Sequence, residues 1–211
     1  MDHLPPNPSS EFDEWAESYD ASVPVDQFPF FGYRNILTHI VAEAEPRPGL
    51  SVLDLGTGTG NLASRFSELG CQVWCTDFSA PMLAKARQKL PAARLFLHDL
   101  RGAWPGGLNC TFDRIVSAYV FHHFELDEKI RIIRSIIPER LIPGGRLIIG
   151  DIAFPNLAAL ERVKSGVGDE WEDEFYWLAD ESLAALAKAG LRAEYSQVSI
   201  CAGVFHFHDW K

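Results

Sequence analysis

The sequence predicts an α/β fold in which a mostly parallel sheet is covered by helices on both faces. Short apolar runs of four to eight residues alternate with amphipathic stretches at helical spacing from residue 50 onward. The first of these runs leads directly into a glycine-rich turn, "VLDLGTGTGN" at 52–61, the way a strand hands over to a helix in nucleotide-binding sheets. A length of 211 residues with 47% hydrophobic side chains suits one domain with one good core.

Each element follows from its pattern. Residues 1–10 are proline-rich, and "EFDEWAESYD" then places Phe12, Trp15, Ala16 and Tyr19 at helix spacing. "VPVDQFPFFGY" breaks that pattern, and Gly32 to Glu45 resumes it through Ile36, Leu37, Ile40 and Val41 until "EPRPG" stops it. Strand-like and helix-like segments then alternate: "SVLDLG", "GNLASRFSELG", "QVWCTD", "SAPMLAKARQKL", "ARLFLHD", "FDRIVSAYV", "DEKIRIIRSIIPERL" and "GRLIIGDIAF". Residues 154–180 interrupt the alternation with a helical half and a cluster of acids and aromatics, which predicts a functional insertion. "DESLAALAKAG" is a further helix with Gly190 as its C-terminal cap, and two strand-like runs around "CAG" predict a closing hairpin.

Charge and cysteine usage narrow the partners. A formal charge of -10 leaves no concentrated basic face for a phosphate backbone, so a small molecule is a better partner than nucleic acid. The start "MDHLPPNPSSEFDEW" carries neither a basic nor an apolar leader region, and no segment approaches eighteen uninterrupted apolar residues, so the chain reads as cytoplasmic and membrane-free. Cys71, Cys75, Cys110 and Cys201 form no CxxC pair, which suits reduced thiols used in packing.

Chemistry gathers at the ends of the strands, where open α/β sheets bind ligands. Gly56, Gly58 and Gly60 bring backbone N–H groups and a positive helix end to the ligand. The dinucleotide register GxGxxG fails when counted from Gly56, because Asn61 stands at the third position, although GxGxxA matches Gly58, Gly60 and Ala63. Asp54 at the lip of the turn would repel a pyrophosphate and suit a ligand with an ammonium group. Asp77 ends the second strand, where it can accept from both ribose hydroxyls at about 1.5–3 kcal/mol, and Asp99 ends the third, facing an adenine amino group.

These residues resemble the class I S-adenosylmethionine-dependent methyltransferases. "VLDLGTGTGN", "CTDFSAPML", "LHDL", "FDRIVSAYVFHHF" and "LIPGGRLIIGD" look like that family's first five motifs in order, covering residues 50–151, and the chain is most similar to small bacterial members with "FHH" after strand four. The resemblance implies a three-layer Rossmann-like fold with seven strands in the order 3-2-1-4-5-7-6, the last antiparallel. It implies S-adenosyl-L-methionine as cofactor, leaving S-adenosyl-L-homocysteine, with a small-molecule methyl acceptor. Gly56, Gly58 and neighbouring backbone would hold the methionine end with Asp54 near its amino group, Asp77 the ribose, and Phe78, Met82, Asp99 and Leu100 the adenine, with Ser117 and Tyr119 beside the methyl; Tyr19, Gly60 and Asn61 complete the expected cofactor site.

The same resemblance divides the single domain into a helical lid at 1–45, a cofactor core at 50–151, an acceptor-lining insertion at 154–180 and a final helix with hairpin at 181–211. Trp15, Tyr33, Asp151, Trp171, Phe175 and Tyr176 are the expected acceptor pocket, while Glu170, Glu172, Asp173 and Glu174 read as a solvated face. His122 and His123 are the candidates for taking a proton from the acceptor; hydrogen bonding that shapes their loop is the alternative. His206 and His208 lack a third firm ligand, so no metal is expected. A nicotinamide-dependent oxidoreductase and a non-catalytic cofactor-binding protein are the competing functions, and either a monomer or a homodimer is compatible with the sequence.

Overall fold

A computed structural model of the chain describes residues 19–23 and 27–208. The expected helix at 11–20 therefore lies almost wholly outside the described residues, as does Trp15. A helical turn α1 (Tyr19–Ser22) precedes α2 (Tyr33–Ala44), and the sheet begins with β1 (Ser51–Leu55). There follow α3 (Asn61–Glu68), β2 (Gln72–Asp77), α4 (Ala80–Lys89), β3 (Arg94–Leu97), β4 (Phe112–Ala118), α5 (Leu126–Arg140) and β5 (Leu141–Phe154). The chain ends with α6 (Leu157–Val167), a two-residue β6 (Trp177–Leu178), α7 (Ala179–Lys188), β7 (Ala193–Gln197) and β8 (Ala202–Phe207).

The sheet runs β3-β2-β1-β4-β5-β8-β7, with β6 attached only to the end of β5. Setting that short strand aside, this is the expected order 3-2-1-4-5-7-6, and the final strand is antiparallel to both its neighbours. β4 reverses the direction in which strands are added, and the carboxyl ends of β1 and β4 therefore part to leave a crevice.

Period-two alternation decides which layer each strand residue joins. Val52, Val73, Val116, Ile148 and Val204 face α2, α3 and α6; Leu53, Trp74, Ile115, Ile149 and Phe205 face α5 and α7. Both faces are covered, so the strands read as continuous apolar runs. Ile36 and Ile40 are fully buried, and each such side chain contributes about 1.5–3 kcal/mol by leaving water. Within the segment 1–45 expected as a lid, α2 packs into the core through Ile36 and Ile40, while Tyr33 and Leu37 at its start and the described strap before it border the cavity.

Gly150 lies under α2, where a Cβ would stand 2.6 Å from Ile40 Cδ1 and 2.8 Å from Ile36 Cγ2. Gly150→Ala should cost about 1–3 kcal/mol of unfolding free energy by overpacking this layer. Urea denaturation checks this, and an unshifted midpoint would contradict the packing described.

Candidate functional site

The carboxyl ends of β1, β2 and β4 open into a cavity of about 930 Å³. The three glycines of the turn have different jobs there. Gly56, at φ +65°, faces Val120, whose Cγ2 would lie 2.3 Å from an added Cβ, so the turn packs directly against the end of β4. Gly60, at φ +88°, approaches Leu90 and Ala86 of the α4 region and starts α3. Gly58, at φ +54°, meets nothing within 4 Å and lies on the cavity wall. Two glycines let the protein close on itself, and the third leaves bare backbone for a ligand.

Asp54 is 1% exposed on the cavity wall beneath this turn, with Thr57 Oγ1 donating to its Oδ2 at 2.7 Å. Burial pushes its carboxyl up to about 7, against the Thr57 hydrogen bond. No ion pair to Asp54 occurs among the described residues, so a ligand's ammonium would meet an uncompensated acid. Asp77 accepts from the Gly58 N–H at 2.8 Å and the Ser79 N–H at 2.9 Å, which fixes its carboxylate at the lip. Ser79 also caps α4 by accepting from the Met82 N–H, bringing Met82 to the wall beside Phe78. Asp99, together with Leu100, lines the far end; the Arg101 guanidinium grips its carboxylate at 2.7 Å and holds its pKa below the usual carboxylate range.

A strap crosses the near side. Asp20 of α1 accepts from Thr59 Oγ1 at 2.6 Å and Asn61 Nδ2 at 3.1 Å, and pairs with Lys89 at 2.7 Å. This knot joins the strap to the start of α3 and the end of α4, and it carries Tyr19, Phe28 and Phe30 over the cavity. Tyr33 and Tyr119 pack at 5.3 Å behind them. Tyr119 adopts φ +58°, a left-handed conformation uncommon for an aromatic residue, and thereby turns the chain from β4 into the segment bearing the histidines.

The opposite wall is built on His122 and His123, in a single helical turn at Phe121–His123. His122 Nδ1 lies 2.5 Å from Asp151 Oδ1, and Asp151 is itself held by the Ile152 N–H at 2.8 Å and Trp177 Nε1 at 3.1 Å. On the cavity side, Glu174 reaches His122 Nε2 at 3.3 Å and His123 Nδ1 at 3.5 Å. Burial opposes a charged His122, yet the Asp151 and Glu174 carboxylates hold its pKa above the ordinary value; burial and its charged neighbour push His123 below. Lys129 stands over Trp177 at 4.3 Å and donates to the Phe175 carbonyl, and burial brings its ammonium down to about 8.

Comparison with known proteins gives this arrangement a family. The Methyltransferase domain family matches residues 52–145. An uncharacterized methyltransferase of Geobacillus kaustophilus is 33% identical over 198 residues, covering 88% of this chain and 89% of that protein. The chain belongs to the class I S-adenosylmethionine-dependent methyltransferases. Its cofactor is S-adenosyl-L-methionine. Another uncharacterized methyltransferase, from Anoxybacillus flavithermus, is 37% identical over 155 residues, covering 71% of this chain and 69% of that protein. Among solved structures, the DhpI complex with SAM and HEP shares the fold at TM-score 0.72 and 20% identity, covering 95% of each chain. Magnesium protoporphyrin IX methyltransferase from Synechocystis, with bound SAH, shares it at TM-score 0.68 and 17% identity, covering 94% of this chain and 96% of that one.

In this methyltransferase the wall residues suit that cofactor: bare backbone at Gly58, a buried acid at Asp54 and a fixed carboxylate at Asp77. Several expected site residues stand elsewhere. Ser117 is fully buried on the α5 side and donates to Leu55 O at 2.9 Å, because strand alternation turns it away from the crevice; Ala118 lines the wall instead. Gly60 serves packing. Asp151 lies behind His122 and off the wall. Trp171 stacks at 4.8 Å on the outer side of Phe28, and the Phe175 ring is 37% exposed, its backbone N–H instead donating to His122 O at 3.0 Å.

The sequence reading also missed partners. Glu174, expected on a solvated face, is turned inward onto both histidines. The Asp20–Lys89 pair spans residues too far apart for any local pattern to signal. Asp151 belongs to the expected acceptor pocket, and what its sequence context does not show is that it serves from behind, on His122 Nδ1.

The raised Asp54 pKa has a defined sign. Since its folded-state value exceeds that of an unfolded aspartate, the ligand-free protein loses stability as pH rises through about 7, and a bound ammonium reverses that loss. S-adenosylhomocysteine affinity should therefore climb by up to about tenfold per pH unit below about 7 and level off above it. Calorimetry across this range checks the profile, and Asp54→Asn should flatten it.

Proposed function

We propose that this methyltransferase acts on a small-molecule acceptor seated between the strap aromatics and the His122–His123 wall. One observation carries the proposal: a single continuous cavity is lined both by the cofactor acids Asp54, Asp77 and Asp99 and by His122, His123 and Glu174. Glu170, Glu172 and Glu174 also line it, an arrangement that repels a phosphate backbone and favours a compact acceptor. Phe28, Phe30 and Tyr176 supply apolar surface, so the acceptor is partly apolar.

When bound, the cofactor supplies a methyl group on a sulfonium that is already a good leaving group. The acceptor's lone pair forms the new bond to the methyl carbon, and the carbon–sulfur pair stays on sulfur. The chain's own contribution is alignment and exclusion of water: the strap covers the near side and Tyr119 sets the back wall. The acceptor's proton passes to the histidine wall, where Asp151 orients His122.

A mass-spectrometric acceptor screen with isotope-labelled cofactor tests the activity itself. His123→Ala should lower kcat by about a hundredfold to ten-thousandfold. Its affinity for S-adenosylhomocysteine should stay within about twofold of the original, since the interactions assigned to the cofactor lie elsewhere on the wall. An unchanged kcat would overturn the histidine assignment. Tyr176→Ala should raise the acceptor KM directly, whereas Trp171→Ala, which is off the wall and acts by loosening Phe28 and Tyr176, should raise it less; steady-state kinetics compare the two.

A further inference from the structure

We propose that His122 Nε2, His123 Nδ1 and a Glu174 carboxylate oxygen form a binding site for one divalent transition-metal ion of the zinc class, with an open position facing the acceptor. The proposal rests on the acceptor cavity assigned above, and it departs from the expectation that no metal is used.

The donor spacing is the first argument. Glu174 oxygens lie 3.3 Å from His122 Nε2 and 3.5 Å from His123 Nδ1, and one ligand atom from each residue falls within 4.8 Å of the others. These separations are long for hydrogen bonds, whose usual range ends near about 3.2 Å. A tetrahedral ion with bonds of about 2.0–2.1 Å sets its ligand atoms about 3.3–3.4 Å apart. Glu174 Oε2 stands near that distance from His122 Nε2 and Oε1 near it from His123 Nδ1, so a small inward movement of the triad from its 4.8 Å span would seat the ion.

The second argument is the support behind the ligands. Asp151 engages His122 Nδ1, which leaves Nε2 as the nitrogen directed at Glu174 and the one that a metal would take in exchange for its proton. A carboxylate behind a metal-binding imidazole fixes its tautomer and raises its basicity, and here that carboxylate is immobilised by Ile152 and Trp177. Lys129 neutralises part of the acid around the cluster and ties down the Phe175 carbonyl, which holds the adjoining Glu174 in place.

The ligand set and its surroundings define the class of ion. Two imidazoles and one carboxylate suit zinc and its first-row neighbours, whereas magnesium and calcium favour all-oxygen sites. All three ligands line the cavity, so the remaining position opens toward the acceptor, the three-plus-one arrangement of catalytic rather than structural zinc. An acceptor heteroatom bound there would be held beside the methyl group and would lose its proton on coordination, the proton leaving through the open cavity. In that case the histidines act as ligands, and the deprotonation step passes from them to the metal-bound acceptor.

The test uses the tag-free full-length protein, stripped with chelator and titrated with Zn²⁺ against a chromogenic competitor. One equivalent should bind, and Co²⁺ in its place should give the visible absorption of a four-coordinate nitrogen–oxygen site. Asp151→Asn should weaken binding by about ten- to a hundredfold, and Glu174→Gln and His123→Ala by at least as much. Thermal shift with S-adenosylhomocysteine shows in parallel that each variant is folded. Absence of Zn²⁺ uptake by the original protein, or equal uptake by folded Glu174→Gln and His123→Ala variants, overturns the site. Zn²⁺ uptake lost in those variants, alongside acceptor methylation that proceeds undiminished in the stripped protein, supports the site and assigns deprotonation to the histidines.

Discussion

The approach of Gly56 to Val120 is the constraint on which the functional end of the molecule depends. No side chain fits between the turn after β1 and the chain leaving β4, so the two cross in contact. That contact brings Asp54 beneath the turn, exposes Gly58 above it, and starts the left-handed step at Tyr119 that delivers His122 and His123 to the same cavity. A cofactor floor and a reactive wall from segments more than sixty residues apart in sequence are thereby set against each other, as transfer between two bound molecules requires.

The electrostatics divide along the cavity. At the proposed cofactor end each acid has its own setting: Asp54 is buried with no basic partner among the described residues, Asp77 accepts from two backbone N–H groups, and Asp99 is paired with Arg101. At the acceptor end the groups are coupled, with Asp151, His122, Glu174 and His123 in one chain of contacts and Lys129 behind it. Asp54 alone is left for a positive charge from outside, and the coupled groups can redistribute charge among themselves.

The sheet was legible because each strand repeats one local signal, an apolar run ended by a turn or an acid. Asp54, Asp77 and Asp99 could be placed by that signal, since lying at or next to the carboxyl end of a strand is enough to reach the crevice. Facing was not legible near the bend: Ser117 and Tyr119 stand two residues apart, yet the φ of +58° at Tyr119 puts one in the α5 layer and the other on the cavity wall. In the insertion, Trp171, Phe175 and Tyr176 all carry aromatic rings, but their sides are decided by Phe28 and by backbone pairing with His122. Glu174 reads as a surface charge in "EWEDEF" because nothing local reveals the two imidazoles that it meets.

The knot around Asp20 also sets how firmly the strap is fastened over the cavity. Its ionic members are partly exposed, Lys89 at 31% and Asp20 at 47% of their side-chain surface, so solvent and salt weaken the pair to about 0–1 kcal/mol. The hydroxyl and amide bonds from Thr59 and Asn61 add comparable amounts. A fastening of this size is within a few multiples of thermal energy, far weaker than the apolar packing that holds α2 to the sheet. The clasp is therefore a light one, and its ionic half weakens further as salt is added.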